Sequence, residues 1–188
     1  MGHNDGSRRS ADSNPFKNAN VGDYVEFGRY PQTAKGEIQP VEWQVLAREN
    51  NKVLVISRYG LDARRFDPES NVWSESEIHW WLNGKFYNSI FSGEEKASIK
   101  SFNRDNVFLL SREEVEKYFA DDEARRCKPT PYAKAEGALT GDNGCGFWWL
   151  RSSADGDSVF YVNYDGGISN IDVYGKYVSV RPALWINL

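Results

Sequence analysis

Three Ser-x-x-Glu tetrads, Ser74 to Glu77, Ser92 to Glu95 and Ser111 to Glu114, confine the helices of this chain to its middle. In such a tetrad the serine hydroxyl takes the amide three residues on, while the glutamate reaches back to the serine amide. Apolar residues at helical spacing follow, Ile78, Trp81 and Leu82 after the first tetrad and Val115, Tyr118 and Phe119 after the third. No sequence repeat underlies this shared punctuation. On both sides of it the apolar period is two: "VGDYVEFGRY", "VEWQVLAR" and "NKVLVISRY" before, "FWWLRS", "SVFYVNY" and "GISNIDVY" after, with Asp165-Gly166-Gly167 as a turn. Strands, then helices, then strands predict an α+β fold with a largely antiparallel sheet and no βαβ series.

Shorter signals fill the remainder. "NVFLL" reads as a buried strand ending at Ser111, and Thr130-Pro131 as the start of a short helix inside a long Pro/Gly-punctuated connection. In the final "YVSVRPALWINL", Pro182 has no amide to donate, so that strand must be at an edge, bulged or broken there. The 188 residues fit a single domain, taken as Val21 to Leu188, with residues 1–20 as a mobile polar arm. Seven Trp, ten Tyr and ten Phe supply both core and contact surface. Of the adjacent pairs Trp80-Trp81 and Trp148-Trp149, one member each is expected in the core.

The formal charge of −4 argues against nucleic acid as the principal partner, since Arg8-Arg9, Arg64-Arg65 and Arg125-Arg126 are dipeptides rather than a basic track. No apolar run reaches the length of a membrane span, and the first twenty residues lack the apolar region of a signal peptide. A cytoplasmic location is therefore expected, with surface or virion display by another route left open. Cys127 and Cys145 make neither a disulfide framework nor a zinc motif.

"GDYVEFGRYPQ", "VEWQVL", "FLLSREEVEKYF", "WWLRS" and the terminal "VRPALWINL" resemble a bacterial and phage family of domains of unassigned function, over nearly all of Val21 to Leu188. That family is similar in turn to the C-type-lectin-like fold, in the branch holding formylglycine-generating enzymes and the variable proteins of diversity-generating retroelements. The resemblance implies a mixed fold whose N- and C-terminal strands meet and whose irregular C-terminal part faces a ligand. The Glu-Pro-Asn or Gln-Pro-Asp loop and the Trp-Asn-Asp of calcium-dependent lectins do not occur, so calcium-mediated sugar binding is not implied.

Catalytic chemistry has thin support. Cys127 lies among Arg125, Arg126 and Lys128, a context that favours thiolate, but neither cysteine stands in the cysteine motif of the formylglycine-generating enzymes. His79 has no nucleophile motif beside it. Helix starts and solvated surface explain the carboxylates of "DDE" and "SREEVE". "DGD" at Asp155 to Asp157 lacks the distal glutamate of a calcium loop, and no metal or other cofactor is expected.

The stretch from Ser153 to Tyr177 is rich in Ser, Asp, Gly, Asn and Tyr, the composition of paratopes, where Tyr supplies rigid area and the small polar residues adaptable hydrogen bonds. The expected function is a non-enzymatic module binding a protein or glycan through Asp155, Asp157, Asn163, Tyr164, Ser169, Asn170, Asp172 and Tyr174. In the retroelement version of this expectation, asparagine codons in that segment are diversified from a template repeat. The alternatives are an enzyme of the formylglycine-generating type or its inactive relative, and a structural or assembly domain.

Overall fold

The computed structural model describes residues 14–188. The first three strands, β1 (Tyr24–Pro31), β2 (Ile38–Glu49) and β3 (Lys52–Ser57), form an antiparallel meander. Then come β4 (Asp62–Ala63), α1 (Glu77–Trp81), a π-helical turn (Leu82–Phe86), α2 (Tyr87–Ile90), α3 (Gly93–Ser98), β5 (Ile99–Lys100), α4 (Arg112–Tyr118), α5 (Asp122–Arg125) and α6 (Pro131–Ala135). The chain returns to strands with β6 (Trp148–Ser153), β7 (Ser158–Val162), β8 (Ile168–Asp172), β9 (Ser179–Val180) and β10 (Ala183–Asn187). This is the α+β order expected from the periodicities. The strands make two sheets, β1-β2-β3-β10-β5 and β4-β9-β6-β7-β8, antiparallel throughout except where β6 meets β9. The terminal strand β10 lies between β3 and β5, with β2 and β3 separating it from β1, so the first and last strands do not pair.

Pro182 is the point of passage between the sheets. The last strand breaks at Arg181-Pro182, leaving β9 in the second sheet and β10 in the first. Ser57 closes the break by donating its amide to the Pro182 carbonyl and accepting Arg181 Nε at its own carbonyl, both at 2.9 Å.

Strands β3, β6 and β10 are buried on both faces, so alternate residues feed two cores. Val53, Val55, Trp149, Leu184 and Ile186 enter one core, while Leu54, Ile56, Trp148, Ala183 and Trp185 enter the other. Both Trp148 and Trp149 are thus fully buried, whereas Trp80 is 66% exposed with Trp81 partly buried beside it. The "NVFLL" segment is buried but is not a ladder strand. Its one pairing is a bridge from Phe108 to Ala183.

Packing begins at Asn14, inside the segment expected to be an arm. Phe16 is fully buried against Phe27, Asn14 donates to the Asn187 carbonyl, and Arg48 ties down the carbonyls of Lys17 and Ala19. The rest of the expected arm lies outside the described residues.

Two of the three capping boxes form as read. Ser92 and Glu95 cap α3, and Ser111 and Glu114 cap α4. Each glutamate carries a second contact from another element. Glu95 accepts the Gly28 amide at 2.9 Å, in a bulge of β1 where φ is +71° and an added Cβ would press Ile90 and Phe91. Glu114 holds Arg151 of β6 through two guanidinium nitrogens, at 2.5 and 2.9 Å.

The first box is displaced. Ser74 lies in a 3-10 turn, Trp73–Glu75, and the cap of α1 is Ser76, whose hydroxyl accepts the His79 amide. Asp67 takes the Glu77 amide at 2.9 Å, which leaves the Glu77 side chain free to pair with Arg65. Burial pushes the Asp67 carboxyl up, but the amides of Ser70, Glu69 and Glu77 outweigh it and hold it below the usual carboxylate range. Thr130 caps α6 with Pro131 in the first turn, as read.

Replacing Ser76, Ser92 or Ser111 by Ala should cost about 1 kcal/mol each in denaturant unfolding. Ser74→Ala should stay within about 0.5 kcal/mol of the wild type. The stability contributed by Asp67 is present above its unfolded pKa of about 4 and disappears as pH falls through its lower folded value. Asp67→Asn should therefore lower stability at neutral pH and flatten its decline in acid, read from melting temperature against pH.

Candidate functional site

The eight residues picked for recognition lie on the β7–β8 hairpin and its flanks, and they do not converge. Asp155 and Asp157 sit exposed in the β6–β7 turn, whose carbonyls at Ala154 and Gly156 are held by Asn71 Nδ2. Asp172 and Tyr174 stand at the same end, joined by a 2.7 Å bond from the Tyr174 hydroxyl that pushes the phenol pKa up. Asn163 and Tyr164 are at the other end of the five-residue strands, roughly 15 Å away at the usual rise per residue. Ser169 and Asn170 lie on β8, an edge strand, and as neighbours they face opposite sides of the sheet.

Tyr164 is built into the fold. Its ring meets Phe147 edge-on with centroids 5.7 Å apart and covers Gly141, while its carbonyl accepts Asn143 Nδ2. Asn163 Oδ1 accepts the Tyr164 amide, which orders the turn. The hairpin tip is docked from below by Arg125 Nε on the Gly166 carbonyl and Arg126 Nε on the Asp165 carbonyl.

Concavity lies elsewhere. Two adjoining hollows of about 280 and 250 Å³ share Asp62 and Arg64. Their position follows from pairing. Residues 61–66 run along the C-terminal segment, with Leu61, Arg64 and Phe66 donating amides to Val180, Val178 and Val173. Asp62 is 2% exposed and accepts the Tyr30 hydroxyl at 2.6 Å and the Ala63 amide at 2.8 Å. Burial and the Asp62 charge push the Tyr30 phenol far above its ordinary pKa, so it remains a proton donor. Burial and then Asp62 act on Tyr132 in the same direction.

Arg64 stacks over Trp81 at 4.1 Å, with its Nε 3.7 Å from Asp62 and without a hydrogen-bond partner among the described residues. Trp81, Phe86, Tyr30 and Tyr132 form a connected ring stack behind it. Glu77, Glu136 and Lys176 line the outer hollow. Buried acceptor, stacked cation and aromatic wall give a fixed set of directional contacts for a polar ligand. Read as one of three isolated basic dipeptides, Arg64-Arg65 gives no sign of this site in the sequence. The signal that reading misses is the alternation Asp62-Ala63-Arg64, which puts the carboxylate and the guanidinium on one side of an extended segment.

Other candidates resolve as structure. His79 Nε2 lies 2.7 Å from Asp105, which also accepts Trp73 Nε1 at 2.8 Å, so the histidine ties α1 to the 102–105 turn. Arg151 serves Glu114 and the Leu109 carbonyl. Cys127 and Cys145 are buried free thiols. Burial pushes the Cys127 pKa up in spite of Arg181 nearby, the opposite of the shift the basic sequence context favoured. Among the described residues no group of three or more His, Cys, Asp or Glu side chains is placed to hold a metal ion, and no helix is long and apolar enough to cross a membrane.

Fold and grooves together define an α+β domain with preformed polar concavities. Residues 50–105 and 103–188 match the family described as Domain of unknown function (DUF6273), and the chain belongs to that family. No curated protein and no solved structure matches it.

Gly141→Ala tests the structural role of Tyr164, because the new Cβ would stand 2.4 Å from the Tyr164 ring. The substitution should cost roughly 1–3 kcal/mol, and adding Tyr164→Ser should restore part of the loss in thermal unfolding.

Proposed function

We propose that this chain is a non-enzymatic binding module of C-type-lectin-like architecture that takes a polar, hydroxyl-rich ligand in the Asp62–Arg64 groove. A glycan suits the groove best, and a polar protein loop is the other occupant of the same chemistry. The observation that carries this reading is the Arg64 guanidinium, fixed on Trp81 and ion-paired at 3.7 Å with the buried Asp62 where the two hollows adjoin. A planar donor held this way is pre-organised, so little conformational freedom is lost when a hydroxyl or carbonyl docks.

The recognition surface named from sequence keeps a flanking role. Lys176 belongs both to the Ser153–Tyr177 stretch and to the groove lining, and Asp172 and Tyr174 stand exposed a few residues before it. Exposure of Ser169, Asn170, Asp172 and Tyr174 also favours retroelement diversification, which requires a template repeat differing at adenines near the gene. Thiol chemistry of the formylglycine-generating type loses support from the raised pKa of Cys127.

A glycan array and a surface-protein panel, screened with the wild type, should return a ligand that Arg64→Lys weakens about tenfold, since lysine keeps the charge but loses the planar fork. The melting temperature should stay close to wild type. Loss of capture with Asp172→Ala and Tyr174→Ala, combined with indifference to Arg64→Lys, would move the site to the hairpin.

A further inference from the structure

A second concavity, separate from the Asp62–Arg64 groove, gathers positive charge. It has a volume of about 460 Å³, and its lining includes Arg58, Arg126, Lys128 and Arg181 but no carboxylate. Glu42 lies outside that lining, bonded through both oxygens to Arg58 Nη1 at 3.0 and 3.1 Å. Arg58 is further fixed between the rings of Tyr24 and Tyr59, at 4.5 and 5.2 Å. The excess of three positive charges therefore rests on Arg126, Lys128 and Arg181.

Arg181 is the unusual member. It is 3% exposed and lies over Trp148 at 4.8 Å and Phe119 at 5.5 Å. Its one hydrogen bond among the described residues is from Nε to the Ser57 carbonyl, and its buried Nη1 has no partner. Among the described residues no carboxylate pairs with it. A desolvated cation without a counterion is costly to bury, and an anion bound in the cavity offsets part of that cost.

We propose that this cavity is an anion site for a small phosphate-bearing ligand, a phosphate ester or pyrophosphate. Guanidinium forks match phosphate oxygens bidentately. The cavity exceeds the room a bare phosphate needs, and the rings of Tyr24 and Tyr59 supply an apolar wall for an organic portion. The charge is gathered in a pocket rather than along a track, which favours a small ligand over a nucleic-acid backbone. The buried thiols of Cys127 and Cys145 line the same cavity and so report its occupancy.

Pyrophosphate titrated into the full chain at low ionic strength, read by calorimetry and by the rate of thiol modification, tests the proposal. Binding should slow modification of both cysteines. Lys128→Ala, at an exposed position, should weaken it about tenfold, and added salt should weaken it further. Arg126→Ala should act in the same direction, so the outcome does not depend on a variant of the buried Arg181. Absence of binding at millimolar pyrophosphate, binding unaffected by both variants, or binding of a single-stranded oligonucleotide without cysteine protection would overturn it.

Discussion

The last strand cannot be continuous, because Pro182 has no amide with which to extend a ladder. From that single constraint the two sheets acquire their connection. The chain leaves the second sheet at Val180, passes through Arg181 and Pro182, and enters the first sheet at Ala183, where Phe108 exchanges both backbone bonds with it at 2.7 and 2.9 Å. Ser57, the last residue of β3, holds the passage from the side through its amide and its carbonyl. The Arg181 side chain bridges the two sheets, with Nε on β3 and its guanidinium plane over Trp148 of β6.

With the passage fixed, β3, β10 and β6 run through the middle of the molecule and bury both faces. Helices and loops then cover the two cores. The capping glutamates show how this covering is secured, since Glu95 and Glu114 each end a helix and grip another element with the same carboxylate. Such a group contributes more than a cap alone, because losing it frees two backbone amides or an arginine as well. The grooves lie where the covering elements leave gaps, one beside β4 and α1, the other beside the exit of β3 and residue Arg181.

Local signals were legible in the sequence because local chemistry decides them. Ser92, Ser111 and Thr130-Pro131 act within a turn, and the two-residue alternation marks the strands wherever one face is apolar. Ser74 misled because a competing acceptor, Asp67, comes from seven residues upstream and takes the helix amide that the box would position. Trp148 and Trp149 could not both be assigned to a core without knowing that β6 has a packed layer on each side. The hairpin residues shared a composition but not a place, since Asn163 and Asp172 mark opposite ends of one strand pair. Arg181 was visible within "VRPALWINL", yet its isolation from the carboxylates of the described residues is a property of the assembled molecule.

Two concave surfaces follow from the same construction, a mixed-charge aromatic groove, proposed for a polar ligand, and a basic cavity, proposed for an anion. The second rests on a single physical claim: the cation that bridges the sheets has no counterion among the described residues and accepts one from solution. Side-chain nitrogen NMR of Arg181 across a pyrophosphate titration tests that claim most directly. The account predicts a saturable shift of its guanidinium resonances while the Ser57 and Ala183 amides keep their native positions. Arg181 resonances that stay unmoved at saturating pyrophosphate would contradict it.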